Sequence, residues 1–336
     1  MLTSEMIKKA AYEAGADKCG IGPMSRFEGA PPEMDPRYLF PHAKSVIGFV
    51  FRIPRGVQRG IEEGTQFYQY PSMAYGGINE IFAPAVLHHV GRVIEDEGYE
   101  AIPIGHQSDW RAINMHGQKK KNYSVPVEPG KPAPDIMIHL RIAAYLAGLG
   151  EIGYSKMLLT PEFGPRQRVG IIITDLELEP DPIYEGKICD RCMQCAKNCH
   201  GKAISMTESV KVTVAGHEIE FNKLDEMACE QGLNGGLDHE LDPFNGKYPN
   251  QFGYGRAIEG ACGCMRACFI HLEKRRKIKN LFHNEFRTSP QWEIDHSKPY
   301  ELTQDVIDYY VKNNFTEDYY EQVRYDAEQN YKTSKV

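Results

Sequence analysis

No stretch of this sequence stays apolar for long. Its longest runs, such as SVIGFVF at 45–51, are far too short to cross a bilayer, so a helical membrane span has no candidate. The opening MLTSEMIKKAAYEAGAD has neither a basic segment leading into an apolar stretch nor a twin arginine. No export signal is visible, and a cytoplasmic location without membrane partners is expected. Basic excess is missing too. The 39 Lys and Arg are outnumbered by 46 Asp and Glu, and a net charge of -7 argues against a general nucleic-acid binder. The run Lys119-Lys120-Lys121, beside Gly117 and Asn122, reads as a solvated loop.

What is present fits a globular chain. Its 336 residues suffice for one large domain, or a domain plus an insertion, with a full core. Helical and strand patterns alternate. Thr3 or Ser4 can cap a first helix with Met6, Ile7, Ala10 and Ala14 along one side, ended by Gly15. Strands are expected at Lys18 to Ile21, Val46 to Phe51, Tyr99 to Ile104 and in QRVGIIITD. A helix runs from Pro84 towards Gly98, and another is expected in DIMIHLRIAAYLAGLG. Residues 54–80, rich in Gly, Tyr and Gln, have no clear period and read as a functional loop. His88 and His89 are adjacent and read as structural or solvated. Residues 303–330 suggest an acidic, tyrosine-rich terminal helix. The fold class that follows is α/β or α+β, with a cysteine-rich module appended.

Nine cysteines in a reducing compartment point to metal or redox work rather than disulfides. Cys19 stands alone and reads as a small buried residue. Cys189, Cys192, Cys195 and Cys199, spaced two, two and three apart, reproduce the bacterial ferredoxin pattern. A tight loop can present three sulfurs to three irons of a cube, while the fourth iron takes a ligand from elsewhere. GACGCMRACF adds Cys262, Cys264 and Cys268, and Cys229 lies between the groups. Eight thiolates make two 4Fe-4S clusters. We assign Cys189, Cys192, Cys195 and Cys268 to one, and Cys199, Cys229, Cys262 and Cys264 to the other. Cys-x2-Cys pairs also build structural zinc sites, but those pairs are separated rather than run together. Two departures from the ferredoxin pattern stand out: His200 replaces the usual proline, and Cys262-Gly-Cys264 is one residue short of Cys-x2-Cys.

Two clusters alone would make a carrier, and a carrier needs no domain in front of it. GLGEIG, Gly148 to Gly153, matches Gly-x-Gly-x-x-Gly, with Asp175 at a distance suited to a ribose contact. It follows a helical pattern, however, whereas a dinucleotide fingerprint leaves a strand and opens a helix.

A resemblance supplies another acceptor. AGLGEIGYSKMLLTPEFGPRQRVGIIITDLELEPDPIYEGKICDRCMQCAKNC resembles the core signature of the cobalamin-dependent reductive dehalogenases, as does GYEAIPIG at 98–105. DPRYLFPHAKSVIGFVF is similar to the start of their relatives, the epoxyqueuosine reductases. Together these segments cover most of residues 15–270. The resemblance implies an α+β chain. A nitroreductase-like corrinoid and substrate domain would occupy 1–180, a ferredoxin-like module with two 4Fe-4S clusters 181–285, and a helical extension 286–336. It implies cobalamin as cofactor, a small-molecule substrate, and an external low-potential donor of ferredoxin or flavodoxin type.

The resemblance also implies site residues. Arg168, closing TPEFGPRQR, matches an active-site arginine that could stabilise a leaving group or orient an anionic substrate; the alternative is an arginine paired at a strand start. The family's proton-donating tyrosine counts back from Tyr99 to Glu80, and Tyr75 is the nearest tyrosine, which fits if the loop is shifted. Asp135 could be an acid or a helix N-cap. His106 could be an acid or a substrate ligand. Either His106 or Asp135 takes the family's polar position. The expected activity is reductive cleavage of a carbon-halogen bond. Epoxide or other deoxygenation is an alternative, and so is a corrinoid-binding or electron-delivery protein without substrate chemistry.

Overall fold

The computed structural model describes residues 2–66, 69–106, 125–134, 136–199, 201–233 and 263–291. The expected terminal helix at 303–330 lies outside them, as do Asp135, His200 and Cys262.

The first helix, α1 (Ser4–Ala14), begins where the Thr3 hydroxyl accepts the Met6 amide at 3.3 Å and ends at Gly15, whose φ of 112° suits glycine. Its buried side is Ser4, Ile7 and Ala11. Met6 is half exposed, so the inward stripe is rotated from the one its sequence suggested. Strand β1 (Lys18–Pro23) follows and buries Cys19, whose thiol burial pushes up to about 12, as suits an inert core residue. A short helix α2 (Pro36–Leu39) leads into β2 (Ser45–Arg52).

Four strands form the sheet, in the order β1-β2-β6-β3 and antiparallel throughout, with β3 at Ala101–Ile104 and β6 at Gln167–Thr174. β2 is apolar on both sides because both faces are covered. Ile47, Phe49 and Phe51 enter the core beneath α1 and α4 (Ala83–Glu95), while Val46 and Val50 enter the core beneath α5 (Leu140–Leu146). Each such side chain contributes about 1.5–3 kcal/mol on burial. His88 and His89 are both exposed on α4.

Residues 54–80 are largely helical rather than looped. They hold a short helix α3 (Arg59–Glu63) and then a π-helix, Tyr70–Phe82, that runs into α4. Hydrogen bonds spanning five residues carry no 3.6-residue period, which is why the sequence looked unpatterned there. Helix α5 also begins later than its apolar run, at His139, whose Nδ1 accepts the Ile142 amide at 3.3 Å. The cap of this helix is therefore His139, four residues after Asp135.

After α5, GLGEIG turns into the hairpin of β4 (Glu151–Ile152) and β5 (Leu158–Leu159). It opens no helix, and the Asp175 carboxylate accepts the Glu100 amide at 2.9 Å, a structural use. The cysteine region adds α6 (Gln194–Lys197), the hairpin β7 (Ile204–Val214) and β8 (His217–Leu224), α7 (Glu226–Leu233) and α8 (Cys264–Lys274). Ile219 and Phe221 of that hairpin enter the same core as α5.

Candidate functional site

Two chemical centres arise, one from sulfur and one from a polar cluster on the sheet. The sulfur centre starts with a loop that curls on itself. Arg191 and Met193 have φ of 57° and 62°, a left-handed conformation costing roughly 1–2 kcal/mol for each non-glycine residue. The curl turns Cys189, Cys192 and Cys195 towards one point. The Cys268 thiol, on α8, feels these three sulfurs ahead of Cys264, whereas Cys264 feels Cys199 and Cys229 most strongly. In the packing, Cys189 and Cys268 share one small apolar cluster and Cys195, Cys199 and Cys264 share the next, so the two cysteine segments lie together.

Local packing makes that grouping possible. Gly263, with φ 78°, starts α8 against the Asn198 carbonyl, where a Cβ would collide, so the second cysteine segment abuts the first. At the other end of α8, His271 Nε2 lies 2.8 Å from the Asp190 carboxylate, pinning the helix to the loop. The Glu151 carboxylate accepts the amides of Ile188 at 2.6 Å and Cys189 at 3.0 Å; burial pushes its pKa up, and those amides oppose the shift.

The donor chemistry fits iron-sulfur cubes. Burial pushes the Cys195 thiol up to about 11 and that of Cys264 up to about 12, with neighbouring sulfurs adding to the shift. Such sulfurs become thiolates when a cationic core binds them. Backbone amides already point at two of them, Tyr154 N at 3.3 Å from Cys189 Sγ and Ala203 N at 3.3 Å from Cys199 Sγ. Amides so placed tune cluster potentials.

The polar centre lies on the sheet face beneath the π-helix. Arg168 pairs with Phe51 in the β2–β6 register and sits on the same face of β6 as Ile172. Its Nε donates to the Ala74 carbonyl at 3.0 Å and its Nη2 to the Tyr70 hydroxyl at 3.0 Å. The guanidinium lies 4.5 Å from the centroid of the Tyr75 ring. The Tyr75 hydroxyl is in turn 3.2 Å from His106 Nε2, and His106 Nδ1 is 3.5 Å from Glu80 Oε1.

Tyr70, Tyr75 and Glu80 are five residues apart. On an α-helix that spacing would splay them by about 140° per step. On a π-helix it matches the hydrogen-bond repeat and stacks them along one side. Tyr75 and Glu80 both lie against His106, one at each ring nitrogen. Of the candidates named from the sequence, Arg168, Tyr75 and His106 lie together, and Asp135 is outside the described residues. Tyr70 was missed, and its five-residue offset from Tyr75 was the signal available.

A contact joins the two centres. The Tyr70 hydroxyl is 4.0 Å from Met265 Sδ, and Gln58 Nε2 donates to the same sulfur at 3.2 Å. Met265 directly follows Cys264.

Comparison with known proteins finds similar sequences and structures. No family model matches the chain. The tetrachloroethene reductive dehalogenase of Dehalobacter restrictus (strain DSM 9455 / PER-K23) is 29% identical over 241 residues, 62% of this chain and 40% of that protein. That of Sulfurospirillum multivorans is 31% identical over 179 residues, 51% of this chain and 30% of that protein. The chain is similar in sequence to reductive dehalogenases. It spans less than half the length of the curated relatives it matches. Among solved structures, a catabolic reductive dehalogenase in complex with 3-bromo-4-hydroxybenzoic acid has a TM-score of 0.48 at 20% identity, covering 83% of this chain and 38% of that one. Epoxyqueuosine reductase from Streptococcus thermophilus has a TM-score of 0.40 at 18% identity, covering 60% and 54%. Among the described residues, no helix is long and apolar enough to cross a membrane.

Proposed function

We propose that the chain is a cytoplasmic corrinoid-dependent oxidoreductase that cleaves a carbon-halogen bond in a small organic substrate. In this reading residues 1–180 form the nitroreductase-like corrinoid and substrate domain, 181–285 the two-cluster ferredoxin-like module and 286–336 an extension. One 4Fe-4S cluster takes Cys189, Cys192, Cys195 and Cys268. The other takes Cys199, Cys229, Cys264 and, outside the described residues, Cys262. An external donor of ferredoxin or flavodoxin type supplies electrons.

The observation that carries the reading is the convergence of Arg168, Tyr75 and His106, joined through Tyr70 and Met265 to the cysteine helix. A bound corrinoid supplies a strongly reducing metal centre beside that convergence, and its presence rests on the resemblance. The geometry supports the following protein side of the chemistry. Two electrons and one proton enter, carbon-hydrogen replaces carbon-halogen, and halide leaves. The Tyr75 hydroxyl is placed to deliver the proton. Arg168, always charged and already held by Ala74 and Tyr70, offers its positive face to the departing halide or to an anionic substrate. Apolar neighbours, Phe51 among them, keep water from the reacting bond.

The test is turnover of a halogenated substrate panel by the cluster-loaded, corrinoid-loaded chain under a strong reductant. Halide release in the native chain, lost at least ~100-fold in Tyr75→Phe and Arg168→Ala, is expected. Release that survives Arg168→Ala would misplace the site. No release from any member of the panel would leave a binding or electron-delivery protein.

A further inference from the structure

A proton donor and a cation would suffice for the chemistry above, yet the polar centre holds more. His106 meets Tyr75 edge to face, with ring centroids 5.1 Å apart and an interplanar angle of 74°. One of its nitrogens is 3.2 Å from the Tyr75 hydroxyl and the other faces Glu80 at 3.5 Å. Exposure falls along this line, from 49% for the Glu80 side chain to 16% for that of His106. A carboxylate at the water, with a half-buried imidazole and a half-buried phenol behind it, forms a path.

The other charged group facing Tyr75 cannot complete a cycle. Arg168 can stabilise a phenolate through its position over the ring, but a guanidinium does not give up a proton. An imidazole does, and in the physiological range. Among the described residues, the charged groups facing His106 and Tyr75 are Glu80 from the π-helix and Arg168 from β6, the latter held by Tyr70. The Glu80 carboxylate favours an imidazolium, and the Arg168 charge opposes it.

We propose that Glu80 and His106 are a relay that reloads the Tyr75 hydroxyl after each turnover, which rests on the reading of Tyr75 as the proton donor. Tyr75 gives its phenolic proton to carbon. Imidazolium His106 passes its Nε2 proton to the phenolate, leaving Nδ1–H against Glu80, and a proton from water restores the imidazolium. One proton enters for each one delivered, and no electron moves in the relay. Glu80 is a positioning residue here: it aims the ring and favours its charged form. The π-helix is what allows one helix to supply both ends, because five-residue spacing places Tyr75 and Glu80 on either side of the same imidazole.

The relay is tested without corrinoid or substrate. Full-length, cluster-loaded chain carrying ring-15N histidine is titrated by NMR, with the His106 signals assigned by their loss in H106Q. Glu80→Gln is expected to move the His106 titration to lower pH, and Tyr75→Phe to shift the Nε2 resonance while leaving that of Nδ1 largely in place. A His106 titration unchanged by Glu80→Gln, together with an Nε2 signal unchanged by Tyr75→Phe, would overturn the relay even if the chain dehalogenates. In turnover, H106Q should lose roughly 100-fold and regain part of it with added imidazole. Unchanged turnover in H106Q would also overturn it. Failure of the native chain on the halogenated panel, by contrast, counts against the reaction assigned above.

Discussion

The cysteine module and the π-helix face carry the two halves of one proposed chemistry, but they are encoded in opposite ways. In the module, metal geometry demands thiols at short fixed spacings, so the sequence displays them openly. On the sheet face, Arg168, Tyr75, His106 and Glu80 come from three segments and meet because an unusual helix turns five-residue spacing into stacking. The difference teaches that a metal centre announces itself in sequence while a proton centre is assembled by the fold.

The sharpest way to break the comparison is to cut one half and watch the other. Cys268→Ser should lose about half of the roughly eight irons expected of two clusters. Tyr75→Phe should keep them all. Iron analysis after anaerobic reconstitution reads both, and equal iron loss in the two variants would mean that the halves are not separable.

The joint between the regions is the next target. Glu62 on α3 accepts from Arg266 on α8 and from Arg287, and the side chains of Glu62 and Arg266 are 4% and 1% exposed. Glu62→Ala leaves the buried Arg266 guanidinium and the half-buried Arg287 facing an absent carboxylate and should cost about 3–5 kcal/mol in chemical denaturation. Arg166 has a comparable structural use: it is 1% exposed and donates to the Ile53 carbonyl at 2.6 Å. Its neighbour Arg168 is the one that faces the polar centre, so Arg166→Ala should lower stability where Arg168→Ala chiefly lowers turnover.

A smaller effect is pH-dependent. Burial, with Arg141 and Lys156 adding, lowers the pKa of His139 from 6.5 to about 4. The unfolded chain binds the proton more readily, so this stability is present above the unfolded value and fades as pH falls from about 6.5 towards 4. His139→Asn, which keeps a cap for α5, should flatten that part of the stability curve by on the order of 2 kcal/mol. Denaturation midpoints at neutral and mildly acidic pH measure it; parallel curves for the two proteins would assign the acid sensitivity elsewhere. At the bottom of the scale, Lys211→Ala on the exposed hairpin, which removes the 2.8 Å pair with Glu218, should leave the midpoint where it was.

Much of this was legible in the residues. The apolar runs of β2 and β6 read as strands because both faces are buried, α1 reads as a helix because its caps are ordinary, and α4 because its apolar period is. The assignment of Cys268 to the cluster of the first loop rests on ferredoxin spacing and stays a proposal. What stayed hidden had physical reasons. The π-helix breaks the 3.6-residue rule on which helix reading depends. The late start of α5 at His139 replaces an expected carboxylate cap with an imidazole nitrogen. Tyr70 and Met265 meet across 195 residues, and no local pattern encodes such a contact.

The account's central claim is that electrons held by the cysteine clusters end on a corrinoid beside the π-helix. Reconstituting the native chain anaerobically with iron, sulfide and a panel of corrinoids, then passing it through gel filtration for metal analysis, tests this directly. About eight irons and about one cobalt retained per chain are predicted. Full iron with no cobalt from any corrinoid offered would contradict it.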